Sequence, residues 1–139
     1  MTKKIVCAVD NTDYSKPAIA VAAELAKAME AELALVAVNE IRGGGSRMGA
    51  VTYMLEDAEI SRILETSARE ARAAGISNPK TIGLRSRDVA RAIAIYAEDS
   101  GADHIVVGTG GKGSMSQLIL GSVSRDIVSR AHCPVTVAR

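Results

Sequence analysis

The chain has 139 residues, 17 of them basic and 16 acidic, for a formal net charge of +1, and it contains no Trp or Phe. That length is typical of one domain, so residues 1–139 are expected to form a single unit. The charge balance excludes the basic footprint that nucleic acid or an anionic membrane surface attracts, and the scattered Tyr14, Tyr53 and Tyr96 offer no stacking platform for single strands. No run approaches a signal h-region or a membrane span, and Cys7 and Cys133 lack metal or redox spacing. A cytoplasmic protein with neither nucleic-acid partner nor membrane insertion is expected.

In chain order, Lys4–Val9 is a short apolar run of the kind that forms a strand buried on both faces. Ser15 can cap the helix that follows, with Pro17 in its opening turn and Ile19, Ala22, Ala23 and Ala26 as its inner stripe. Leu33–Val38 is the second strand. The glycine-rich Ile41–Gly49 after it reads as a loop, with a lid over a site at that sheet edge as the alternative. A long amphipathic helix is expected from about Tyr53 to Ala74. It turns Ile60, Ile63, Leu64, Ala71 and Ala74 inward, and Gly75 stops it. Lys80–Leu84 is the third strand, and Asp88 can cap a helix that buries Val89, Ile93, Tyr96 and Ala97 and stops at Gly101. His104–Val107 is the fourth strand. A last helix spans about Ser122 to Ala131, with Val123, Ile127, Val128 and Ala131 as its stripe. Pro134 ends it and opens the final strand, Val135–Ala138. Five strands alternating with four helices predict an α/β fold: an open five-stranded parallel sheet with helices on both faces.

Much familiar chemistry is missing. Neither a zinc-site spacing, nor G-x-S-x-G, nor H-E-x-x-H occurs. Asp10 and Asp13 after the first strand suggest a phosphorelay receiver, but that reading needs an Asp ending strand three and a Lys ending strand five. Leu84–Arg85–Ser86 and Ala138–Arg139 stand there instead. The stretch GTGGKGS, Gly108–Ser114, imitates two phosphate fingerprints and satisfies neither. As G-x-G-x-x-G it follows the fourth strand rather than the first and lacks a ribose-binding acid at the right distance; as a Walker loop its Lys112–Gly113–Ser114 are in the wrong order. What remains is the spacing G-x-x-G-x9-G-S: Gly108, Gly111, then Gly121 and Ser122. Glycines at the first pair let the backbone approach a ligand. Gly121, Ser122, Val123 and Ser124 open a helix whose free N–H groups, dipole and two hydroxyls make an anion site.

That spacing, together with the opening IVCAVD, the segment SGADHIVVG and the ending LILGSVSRDIVSRAHCPVTVAR, resembles the universal stress protein family along the whole chain. The resemblance implies a nucleotide site holding ATP, ADP or AMP, with Mg2+ as a candidate companion ion. Asp10 would meet the adenosine moiety, and Ala8 and Val38 the base, partly through backbone, with Val9 and Val107 beside them. Gly108 and Gly111 would line the ribose and phosphates, Lys112 would add a phosphate contact, and Gly121, Ser122, Val123 and Ser124 would hold the phosphate chain. In a sheet ordered 3-2-1-4-5, Asp10 and Gly108 flank the crevice where the strand order reverses. Thr12 stands where Ser is commoner, and Thr109–Gly110 where Ser with a larger residue is usual.

The implied function is regulatory: a stress-response protein whose bound nucleotide alters its interaction with a protein partner. The alternatives are a slow ATP hydrolase and a nucleotide-independent interaction module of the same fold. Against fast hydrolysis, no Arg or Gln is evidently aimed at a γ-phosphate. The last strand, Val135–Ala138, is expected at an unprotected sheet edge where family members dimerise. A homodimer through antiparallel edge pairing follows, with the Thr136 N–H as a candidate outward donor and Val137 as a contact side chain.

Overall fold

The computed structural model describes residues 2–43, 51–109 and 120–139. Its elements are β1 (Lys4–Ala8), α1 (Ser15–Met29), β2 (Glu32–Gly43), β3 (Val51–Tyr53), α2 (Asp57–Ala73), β4 (Lys80–Ser86), α3 (Val89–Asp99), β5 (His104–Gly108), α4 (Ser122–Arg130) and β6 (Val135–Ala138). The five expected strands pair in parallel in the order β4-β2-β1-β5-β6. The expected strand order therefore holds, but the expected count does not. A sixth strand, β3, pairs antiparallel with the end of β2, Ile41 opposite Tyr53 and Gly43 opposite Val51.

That hairpin corrects two expectations. Ile41–Gly43 continue the second strand instead of opening a loop, while the rest of that glycine-rich stretch, 44–49, lies outside the described residues. Tyr53 belongs to β3, so α2 begins at Asp57. The corner between them is fixed by Asn39, which is buried on β2. Its Nδ2 donates to the Leu55 carbonyl at 2.7 Å and its Oδ1 accepts from the Leu55 N–H at 3.0 Å.

Alternation along the strands divides the core in two. Ile5, Cys7 and Val9 of the first strand and its extension pack with Leu33, Leu35 and Ala37 against α1 and α2. Val6, Ala34, Val36, Ile105 and Val107 face α3 and α4, together with the half-buried Ala8 and Val38. The buried residues of helix α1 are Ile19 and the small Ser15, Ala18, Ala22, Ala23 and Ala26, with Val21, Leu25 and Met29 packed at the margin, so the helix can lie close to the sheet. Each large aliphatic side chain buried in these layers stabilises the fold by about 1.5–3 kcal/mol.

Besides the start of α2, the helix ends follow the sequence with one exception. Asp88 accepts from the Arg91 N–H at 3.1 Å as the cap of α3, and Gly75 and Gly101 have φ of 104° and 73° just past α2 and α3. Ser15, expected as a cap, is instead the first residue of α1, and its hydroxyl turns back toward Asp10. On α4 the inner residues are Ser124 and Ile127; Val123 and Val128 are exposed, contrary to the expected stripe.

Strand β6 lies at the end of the sheet. The Ile105 N–H donates to the Pro134 carbonyl, and Ile105 is in register with Val135. In a parallel ladder the backbone groups alternate sides, so Pro134, Thr136 and Ala138 address β5 while Val135 and Val137 address the outer edge. The Thr136 N–H therefore points inward, not outward.

Candidate functional site

The carboxyl ends of β1 and β5 are adjacent, and beyond them the strand order runs in opposite directions. At the end of β1 the chain turns tightly into α1 around Asp10. One carboxylate oxygen, Oδ1, accepts three hydrogen bonds: from the Thr12 N–H at 2.9 Å, the Thr12 hydroxyl at 2.6 Å and the Ser15 hydroxyl at 3.0 Å. The Asp10 N–H donates to the Ser15 Oγ at 2.8 Å, closing the turn on itself. This is an Asx turn elaborated by two hydroxyls. Asp10 is exposed, and its Oδ2 takes no hydrogen bond among the described residues.

Gly108 ends β5 against the first turn of α1. A Cβ there would collide with the carbonyl oxygen of Tyr14, so only glycine lets the two backbones meet. The opposite flank of Gly108 is joined to α4: the buried Ser124 hydroxyl donates to the Gly108 carbonyl at 2.7 Å, and the Gly121 N–H donates to the Thr109 carbonyl at 2.8 Å. Gly121 is the N-cap of α4, and its carbonyl accepts the first helical bond, from the Arg125 N–H at 3.0 Å. The helix itself supplies no partner for the N–H groups of Ser122, Val123 and Ser124. They form the positive end of the helix dipole beside the tip of β5.

The structure thus brings Asp10, Gly108, Gly121 and Ser124 to one end of the sheet, with Ser122 and Val123 exposed there. Ala8 and Val38 are half-buried at the same end, on the α3/α4 side. Val9 and Val107 are buried, so they offer a ligand backbone atoms only. Gly111 and Lys112 lie outside the described residues. On the α1/α2 side, a cleft of ≈ 380 Å3 runs from Asp10, Asp13 and Lys16 to Arg62 and Glu70 of α2. Among the described residues no group of three or more His, Cys, Asp or Glu is arranged to hold a metal ion, and no helix is long and apolar enough to cross a membrane.

Sequence reasoning placed the Thr12 hydroxyl in the Asp10 segment without its bond to Asp10, and missed Ser15 as the internal partner of that carboxylate. Their signal is the spacing D-x-T-x-x-S directly after a strand, in which short hydroxyl side chains can reach back to a turn-forming carboxylate.

An α/β protein with a glycine-shaped crevice at its strand-order reversal is the class that this fold and site define. The universal stress protein family model matches residues 1–139, and the chain belongs to that family. A universal stress protein of Thermus aquaticus is 36% identical over 143 residues, covering 100% of both chains. The universal stress protein YxiE of Bacillus subtilis strain 168 is 30% identical over 150 residues, again with 100% of both covered. Among solved structures, a universal stress protein from Archaeoglobus fulgidus superposes with a TM-score of 0.75 at 26% identity, covering 100% of this chain and 95% of that one. A universal stress protein in complex with cAMP has a TM-score of 0.77 at 23% identity, with 99% and 97% covered. A structure of a universal stress protein from Archaeoglobus fulgidus in complex with dAMP has a TM-score of 0.75 at 23% identity, with 99% and 98% covered.

Proposed function

We propose that this chain binds an adenine nucleotide, ATP, ADP or AMP, at the carboxyl ends of β1 and β5, and acts as a regulatory stress-response protein through nucleotide-dependent contact with a partner protein. The observation that carries the reading is Gly108 set between the Tyr14 carbonyl, which closes the loop that Asp10 opens after β1, and the N-terminus of α4. The two ends are chemically opposite. An exposed carboxylate oxygen accepts from a donor such as a sugar hydroxyl or an exocyclic amine and repels phosphate. A helix N-terminus favours phosphate. A nucleoside at Asp10 with its phosphates toward Gly121, Ser122, Val123 and Ser124 satisfies both, with Ala8 and Val38 toward the base and Gly111 and Lys112 toward the phosphates. Neighbouring folds in complex with cAMP and dAMP support the adenine preference. Mg2+, when bound, would accompany the phosphates, since it keeps much of its water and needs few protein ligands. We further propose a homodimer through the outer edge of Val135–Ala138.

The test is thermal. At a hundredfold excess over Kd, a ligand specific for the native state adds about 2.7 kcal/mol, equivalent here to a rise of roughly ten degrees in melting temperature. Gly121→Val abolishes that rise by placing a branched side chain where phosphates approach. A wild-type melt unmoved by ATP, ADP and AMP alike sinks the reading.

A further inference from the structure

The geometry points to Ser15, seconded by Thr12, as a positioning residue for nucleotide recognition: together they hold Asp10 so that its Oδ2 alone faces the ligand. The inference rests on the proposed nucleotide site and assigns it a mechanism of selectivity. A surface aspartate normally rotates about χ1 and χ2 and offers either oxygen to solvent. Asp10 is held differently. Its Oδ1 accepts from the Thr12 N–H, the Thr12 hydroxyl and the Ser15 hydroxyl, and its own N–H donates to the Ser15 Oγ. Ser15 is 7% exposed and sits in the first turn of α1, where packing fixes its direction. It is therefore the rigid end of the network, and the exposed Asp10 is the end that it steers.

One carboxylate oxygen with three donors has little capacity left for a fourth, which leaves Oδ2 as the available acceptor. A single, oriented acceptor selects ligands that place a donor at that point. It also rejects those that place an acceptor there, since the carboxylate has no proton with which to answer. Without Ser15 the carboxylate regains its rotamers, and part of the binding energy is lost in ordering it again.

Asp10→Asn provides an unusually clean test because the amide retains a carbonyl oxygen for the Thr12 and Ser15 donors while its NH2 replaces Oδ2, turning the outward acceptor into a donor. Dissociation constants for ATP are measured by calorimetry for the wild type, Asp10→Asn, Ser15→Ala and the double variant, with melting temperatures taken in parallel. The expected results are about tenfold weaker binding for Asp10→Asn and about three- to tenfold for Ser15→Ala, the scale of one ordinary hydrogen bond. In the Asp10→Asn background, Ser15→Ala has an effect of less than about twofold on affinity, because the oriented acceptor is already gone. A merely structural Ser15 would instead weaken binding equally in both backgrounds, and that additivity overturns the inference while leaving the nucleotide site standing. Unchanged binding in Asp10→Asn, or none in the wild type, overturns the site reading and the inference together. Thr12→Val deletes the second hydroxyl donor from a less buried position. It reports the same coupling should Ser15→Ala not fold, and additivity there counts equally against the proposal.

Discussion

Two single residues show how local physics constrains this end of the sheet. Gly108 is required by the Tyr14 carbonyl, independently of any ligand. Gly108→Ala should therefore lower the stability of the ligand-free protein by about 1–3 kcal/mol, the usual cost of forcing extra volume into a packed contact. A ligand-free melt at the wild-type temperature would show that the contact relaxes freely. Cys7, fully buried in the α1/α2 layer, has its thiol pushed up to about 12 by burial. The folded state thus holds its proton after the unfolded chain has released it. The stabilising contribution is complete below the ordinary value of 9.0 and is lost as pH rises from there toward 12. In that window the loss approaches about 1.4 kcal/mol per pH unit. Melting temperatures compared between pH 8 and about 10 should fall further for the wild type than for Cys7→Ala, the difference isolating this thiol from the lysines and tyrosines that titrate in both.

At the scale of elements, most of the architecture was legible because the central strands β1, β2 and β5, buried on two faces, cannot disguise their apolar runs, whereas β4 and β6, expected to be buried alike, are largely half-exposed. The alanine stripe of α1, the Asp88 cap and the glycine stops at 75 and 101 were equally direct, each having one local cause. The hairpin β2–β3 was not legible. Its paired segments, Ile41–Gly43 and Val51–Tyr53, are too short to show a pattern, and it is secured by Asn39 reaching Leu55, a tertiary bond that no local pattern encodes. A hint existed, since Asn39 continues the alternation of Leu35 and Ala37 and so had to be buried and paired. The stripe of α4 was misread for a related reason. The Ser124 bond to Gly108 sets the rotation of this nine-residue helix, and with Ser124 and Ile127 inward, Val123 and Val128 turn out to solvent. Of the candidate site, the glycine and helix-terminus half was readable from spacing. The hydroxyl partners of Asp10 were not, because serine and threonine after a strand are ordinary turn residues.

At the scale of the whole molecule, the proposed dimer turns on which edge atoms are available. Val135 and Val137 present their N–H and C=O groups outward, and Thr136 presents its own to β5 while its hydroxyl lies 2.7 Å from His104 Nε2. Val137→Pro should abolish edge pairing with the fold intact, whereas Thr136→Pro should damage the β5–β6 ladder and lower stability by about 1–3 kcal/mol. Light scattering alongside thermal melts separates the two effects. A Val137→Pro protein with the wild-type mass would place any self-association elsewhere.

The contact of Tyr14 with Gly108 joins positions about ninety residues apart, making it one of the non-local meetings that folding chains reach slowly. A chain still emerging from synthesis contains the Asp10 segment long before it contains β5, and so only half of the crevice. Occupancy of the proposed nucleotide site would thus distinguish finished copies from unfinished ones. Because degradation samples opened molecules, turnover would fall preferentially on copies that are empty.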